Sequence, residues 1–168
     1  SYMHTTTSQY AGFKIEHLEV LYGGTFSGRS VQNTYVTLAN IHSGGTYVVG
    51  QSHLITGNLI GGLLYIDTNG NVGTVNAYDG TLIIKGTSSW TIENLNILKN
   101  DNDLSITLKD GGQSAYLKNL NLAYGRTISI TGDFYGFMNN VNKTNYTEDK
   151  IKGVVQGTWN LAGTVIID

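Results

Sequence analysis

Apolar residues recur along this chain in short alternating runs, and the runs come in pairs. The first kind reads Ile15-Glu-His-Leu-Glu-Val20, Val36-Thr-Leu-Ala-Asn-Ile41, Val72-Gly-Thr-Val-Asn-Ala77, Ile92-Glu-Asn-Leu-Asn-Ile97, Leu117-Lys-Asn-Leu-Asn-Leu122 and Met138-Asn-Asn-Val-Asn-Lys143. All fit one template: apolar, two free positions, small or apolar, Asn, then usually apolar. The second kind follows, in most copies after a Gly-containing turn: Gly45-Thr-Tyr-Val-Val49, Gly62-Leu-Leu-Tyr-Ile66, Gly80-Thr-Leu-Ile-Ile84, Asp103-Leu-Ser-Ile-Thr-Leu108, Arg126-Thr-Ile-Ser-Ile130 and Gly163-Thr-Val-Ile-Ile167. Alternation with period two marks each as a strand. Parity puts Tyr47/Val49, Leu64/Ile66, Leu82/Ile84, Ile106/Leu108, Ile128/Ile130 and Val165/Ile167 on the core face, and Val48, Tyr65, Ile83, Thr107, Ser129 and Ile166 on the opposite one.

The fifth template position runs Glu19, Asn40, Asn58, Asn76, Asn96, Asn121, Asn142 and Asn160, at intervals of 21, 18, 18, 20, 25, 21 and 18 residues. A repeat of this length, with two short strands and no room for a helix of ten residues, excludes βαβ units and favours stacked coils. The chain is therefore expected to be all-β, a single-stranded, right-handed parallel β-helix of about eight coils over residues 13–168. In such a stack equivalent residues lie roughly 4.8 Å apart, so identical Asn side chains can pass amide hydrogen bonds along a ladder. The pattern leaves open whether that ladder lies in a bend or on the outer face: the apolar fourth and sixth positions would push the fifth outward only in a straight strand.

Two stretches break the rhythm. Residues 139–152 are polar and read as a loop protruding from one coil, and Asn100-Asp-Asn-Asp103 reads as a shorter insertion that accounts for the 25-residue interval. Residues 1–12 are Thr-rich and unpatterned, either a cap or a segment foreign to the fold. Thr164-Val-Ile-Ile-Asp168 is an apolar strand without a polar cap; because solenoids need capped ends, the coils are expected to continue past it.

Composition narrows the function classes. Charged residues are only 13% of the chain, while Gly (22), Thr (20) and Asn (17) are abundant, which gives a polar but uncharged surface. A net charge of −2 with ten Lys and Arg argues against nucleic acid, whose affinity rests on clustered cations. No run of eighteen apolar residues predicts a membrane span, and the first twelve residues lack the charged start and apolar stretch of an export signal. The absence of Cys removes disulfides and thiolate metal sites, and the absence of Pro leaves the turns to Gly and Asn.

Val75-Asn-Ala-Tyr-Asp-Gly-Thr-Leu-Ile-Ile-Lys-Gly86 carries a resemblance best. Coils of about twenty residues built on apolar-x-Asn followed by Gly-Thr-Leu-x-apolar, without cysteine, resemble the passenger domains of bacterial autotransporters and related filamentous exoproteins. The likeness spans Phe13 to Asp168 and is architectural. It implies export and an outer-surface role, shared by adhesins, self-associating proteins and vacuolating-cytotoxin-like toxins. The expectation is a non-catalytic segment of a secreted or surface-attached bacterial protein, an adhesin or rigid stalk that contacts a host surface, matrix or glycan, or another copy. The alternatives are a small glycan-active β-helix enzyme, a lyase or hydrolase, and a segment of a secreted pore-forming toxin.

Candidate chemistry is sparse. The carboxylates are scattered: Asp101/Asp103 and Glu148/Asp149 fall in loops, while Asp67, Asp79, Asp110 and Asp133 sit beside Gly, where Asp favours turns by bonding its own backbone. Glycoside cleavage would need two carboxyls on opposite sides of a sugar. Asp67-Thr-Asn-Gly-Asn71 resembles the first half of a calcium loop but lacks the downstream bidentate Glu, so neither a metal nor a cofactor is expected. His4, His17, His42 and His53 are unpaired in sequence, and no Gly-x-Ser-x-Gly elbow occurs. If the segment binds a partner, contact is expected through the outward column Val48, Tyr65 and Ile83, or through Tyr146 in the 139–152 loop. Phe134, Tyr135 and Phe137 can stack on sugars, but edge packing over the core is the favoured reading, because half-buried aromatics suit strands and coil corners.

Overall fold

The computed structural model describes residues 14–29, 34–67, 71–85, 91–98, 104–109, 116–131, 138–142 and 155–167. Among them run thirteen strands: β1 (Lys14–Val20), β2 (Thr25–Ser27), β3 (Tyr35–His42), β4 (Thr46–Val48), β5 (His53–Asp67), β6 (Asn71–Lys85), β7 (Thr91–Ile97), β8 (Leu104–Lys109), β9 (Tyr116–Leu122), β10 (Thr127–Thr131), β11 (Met138–Asn142), β12 (Val155–Leu161) and β13 (Thr164–Ile167). Every pairing between them is parallel. One face of the stack follows the order β1-β3-β5-β6-β7-β9-β12-β11; the other follows β2-β4-β5-β6-β8-β10-β13, because β5 and β6 are long enough to run through both. The chain is thus an all-β parallel solenoid, with about four turns between Lys14 and Lys85.

The two free positions of the template are a corner. In β3, Val36 is buried, Thr37 and Leu38 both point outward, and Ala39 and Ile41 are buried again. β5 and β6 repeat this with Ile55-Thr56 and Gly73-Thr74, and β7 repeats it with Glu93-Asn94. After the corner the strand alternates, so the Asn between two inward residues faces out. The ladder therefore lies on the outer face, immediately beyond a bend.

Parallel register turns the inward positions into columns. Leu18, Ala39, Gly57, Val75, Leu95 and Leu120 form one, and Val20, Ile41, Leu59, Ala77, Ile97 and Leu122 form the next. Tyr47, Val49, Leu64, Ile66 and Leu82 close the core from the second face, fully buried as their parity requires. Gly57 leaves no room for more: a Cβ there would lie 3.0 Å from Leu54 Cδ2. Tyr47 brings a polar hydroxyl into this interior. Phe26 packs edge-on at 5.1 Å, and Ser52 Oγ donates to the Val49 carbonyl at 2.6 Å, which leaves its oxygen to accept the Tyr47 hydroxyl at 3.3 Å. Burial pushes the Tyr47 phenol up to about 12, so it stays protonated and donating at any ordinary pH.

The turns demand glycine where coils touch backbone to backbone. Gly80 has φ of 111°, and a Cβ on it would fall 2.4 Å from the Gly62 carbonyl oxygen. Arg126 takes the place that Gly45 and Gly163 hold before β4 and β13, and its side chain is buried with Nη2 donating to the Tyr78 carbonyl at 3.1 Å.

Two features of the stack differ from chain order. β12 rather than β11 pairs with β9, and β11 lies beyond β12, so residues 138–142 sit outside a strand that follows them in sequence. Both segments carry the template, and the pattern does not rank them. β10 also meets β8 two residues away from the expected register, with Ser129 beside Ser105 and Thr131 beside Thr107. A shift of two preserves which residues face inward, and parity is blind to it. Of the expected loop over 139–152, residues 139–142 belong to β11, and the remainder lies outside the described residues, as do residues 1–12 and Asn100–Asp103.

Leu82→Ala is expected to cost about 2–5 kcal/mol, as cavity-forming core changes do, whereas Ile83→Ala should cost under about 1 kcal/mol. Equal losses in denaturant melts would mean the register is wrong. Gly80→Ala should exceed Gly23→Ala by at least about 1 kcal/mol, because both have positive φ but only Gly80 is crowded by backbone, Gly23 having open space around its Cβ position.

Candidate functional site

The outward face of β3, β5, β6, β7 and β9 gathers the polar template residues into one surface. Asn160 Nδ2 donates to Asn121 Oδ1 at 2.8 Å, Asn121 to Asn96 at 2.8 Å, and Asn96 to Asn76 at 2.9 Å. Asn76 then donates to Asn58 at 3.0 Å, and Asn58 to Asn40 at 2.8 Å. Every N–H points the same way, toward the N-terminal coil. The ladder jumps from Asn121 to Asn160 because β12 stands next to β9. Asn142 aligns with Asn160 on the far side by backbone pairing, and its side chain lies outside the described residues.

The last acceptor is Glu19. Asn40 Nδ2 donates to Glu19 Oε1 at 2.7 Å, His17 Nε2 lies 2.6 Å from the same oxygen and His42 Nε2 lies 2.6 Å from Oε2. A row of aligned amides is positive at its N–H end, as a helix is at its N-terminus. A carboxylate, which only accepts, is therefore matched to that end of the row. Hydrogen bonds from Asn40, then His42 and His17, hold the Glu19 carboxyl below its ordinary value of 4.5 against a small opposing desolvation. Beside it, Lys14 and the Thr37 hydroxyl hold Glu16 down in the same way.

An outward column precedes the ladder by two positions: Asn119 Nδ2 donates to Asn94 Oδ1 at 2.8 Å, and Asn94 Nδ2 reaches Thr74 Oγ1 at 3.5 Å. Two positions after it in the chain come His42, Ile60, Tyr78 and Leu98, with Ile60 40% and Tyr78 38% exposed; the register is irregular here, and Ile60 pairs with Asp79. At the strand starts Tyr35 stacks on His53 with centroids 4.7 Å apart, and Asn71 Nδ2 meets the other edge of that imidazole at 3.2 Å.

Val48, Tyr65 and Ile83 do form one register-aligned column on the second face. Val48 is only 9% exposed, Tyr65 and Ile83 are half-buried, and the Arg29 guanidinium lies over the Tyr65 ring at 5.6 Å. Phe134, Tyr135, Phe137 and Tyr146 lie outside the described residues, as does the middle of the calcium-like Asp67–Asn71 segment. Among the described residues no group of three or more His, Asp and Glu is placed to hold a metal ion, and no helix is long and apolar enough to cross a membrane. The chain matches no protein-family model, no curated protein and no solved structure.

Sequence reasoning passed over the Glu19 cap and the exposed Ile60 and Tyr78 beside the ladder. Glu in the first ladder slot was a visible signal, and parity counted from each Asn reaches Ile60 and Tyr78. The pairing of His17 with His42 was not legible, because they approach Glu19 from opposite directions on different coils.

Apart from the 3.1 Å contact of Asn40 Nδ2 with His17 Nε2, the described side-chain hydrogen bonds between β3 and β1 end on Glu16 or Glu19, and within β1 only Val20 is fully buried. Both carboxyls are depressed, so their contribution is complete above the unfolded value near 4.5 and is lost as pH falls through the lower folded values. Amide NMR signals of β1 should therefore lose native dispersion in acid before those of β5 and β6. Glu19→Gln, which keeps an acceptor but no charge, should weaken that pH dependence. A single transition shared by all strands and unchanged by Glu19→Gln would refute the cap.

Proposed function

We propose that this chain is a non-catalytic segment of a secreted bacterial surface protein, a rigid stalk that also presents an adhesive face. In this reading about eight right-handed coils continue the four-turn arrangement along the chain, and the protein belongs with the autotransporter-like exoproteins that its repeat resembles. The supporting observation is the unbroken, one-directional ladder from Asn160 to Glu19, which ties successive coils through side chains as well as backbone. Each link contributes on the order of 0.5–1.5 kcal/mol where water is partly excluded. Such a column resists bending and shear between coils, a property that serves a spacer holding a contact surface away from a cell.

Partners for an adhesive face are a host surface, matrix or glycan, or a second copy. Beads coated with the segment should be retained on matrix or cultured cells above uncoated controls, and the segment should release no reducing ends or unsaturated sugars from a polysaccharide panel. Polysaccharide cleavage abolished by a single carboxylate substitution would overturn the non-catalytic reading. Coated beads retained no better than controls would remove the adhesive part and leave the stalk.

A further inference from the structure

We infer that the amide-ladder face across β5, β6 and β7 is a binding surface for neutral, polyhydroxylated chains, that is, uncharged glycans laid along the solenoid axis. The inference rests on the adhesive reading and deepens it by naming the face and the partner chemistry. The hydrogen-bonding capacity of the ladder comes first. A primary amide carries two N–H donors and two acceptor lone pairs, and within the ladder each of Asn58, Asn76 and Asn96 gives one N–H to the coil before it and takes one from the coil after it. One donor and one acceptor per amide remain for solvent, repeated at the strand spacing of roughly 4.8 Å. A hydroxyl group both donates and accepts, so it satisfies such a pair; a carboxylate or sulfate only accepts, and an ammonium only donates.

Two exposed residues beside the ladder supply the apolar half of the surface. Ile60 and Tyr78 each follow a ladder residue by two positions and are 40% and 38% exposed, and a register shift after Leu59 sets Ile60 opposite Asp79, one residue beyond Tyr78. A strip of amides beside an aliphatic and an aromatic side chain matches a sugar ring, which has hydroxyls at its rim and C–H groups on its face, and amphipathic aromatic rings are suited to such mixed surfaces. The Tyr78 turn is held in place beforehand. Buried Arg126 donates to its carbonyl at 3.1 Å, and Asp79 Oδ1 accepts the Gly80 N–H at 2.8 Å within the same turn. A group fixed before binding loses little entropy when it binds.

Geometry decides against an extended peptide. An extended peptide adds to a sheet by its edge, whereas this is a sheet face whose backbone is already paired on both sides.

The test measures binding of the whole chain to immobilised neutral hexose and N-acetylhexosamine oligomers, with uronate and sulfated oligomers as charged comparators. Neutral oligomers should bind, and Tyr78→Ala and Asn76→Asp should each weaken them at least tenfold, while Ile83→Ser on the other face should leave them unchanged. In the parent protein, NMR side-chain amide signals of Asn58, Asn76 and Asn96 should shift on adding the bound oligomer, which keeps the test valid if a variant misfolds. Binding that ignores both face substitutions, or preference for the charged oligomers, overturns the inference. So does self-association abolished by Tyr78→Arg, which would make the face an interface between copies. Failure to bind any neutral oligomer by a segment that still adheres to cells refutes the glycan face but not the adhesive reading; loss of both refutes the two together.

Discussion

Parallel, in-register stacking is the constraint from which the other features of this protein follow. Once each strand lies beside its equivalent in the next coil, every template position becomes a column about one strand spacing apart, and each column must satisfy itself. Inward columns do so by packing: large Leu54 and Leu64 close the space left by Gly57. Outward polar columns do so by bonding to themselves, and Asn is suited to this because one amide both donates and accepts along the axis. The corners absorb the variation. Bonded ladder residues lie 18 to 39 positions apart along the chain, yet ladder bonds stay between 2.7 and 3.0 Å.

A column with a direction needs two unlike ends. The carboxylate of Glu19 meets the positive end of the amide row, and two imidazoles from different coils complete its shell. This polar closure sits where apolar anchoring is thinnest: β1 contributes Val20 to the buried core, with Ile15 and Leu18 only packed against it. The terminal coil is held by ionisable side chains and the central coils by hydrocarbon. Arg126 plays a comparable part inside the stack, where it fills a corner that glycine occupies elsewhere and bonds a backbone carbonyl 48 residues away.

The two outward faces are chemically different, and this bears on recognition. On the second face an apolar column is largely withdrawn from solvent, with Val48 buried and Tyr65 beneath Arg29. On the first, uncharged amides and partly exposed Ile60 and Tyr78 remain open. A solenoid fills its interior with its own side chains, so its functional chemistry is confined to such faces and to its loops. The pairing of a stiff axis with one open polar face is what supports the stalk-and-adhesion reading over a pocket-based one.

Much of this architecture was legible from residue order alone. The period of about twenty, the two-strand unit, the inward parity of Tyr47, Val49, Leu64, Ile66 and Leu82, and the Asn ladder follow from local alternation, because strand geometry forces side chains to opposite sides at every step. Tertiary structure was needed wherever two arrangements satisfy the same local pattern. Asn142 and Asn160 both fit the template, so only the packed coils place β12 beside β9. A slip of two residues, such as that of β10 on β8, leaves parity unchanged, and alternation cannot register it. The corner at Thr37-Leu38 decides that the ladder faces out, and the approach of His42 to Glu19 exists only once two coils are stacked. Local patterns encode which way a side chain points; which neighbours it meets is decided by the packing of whole coils.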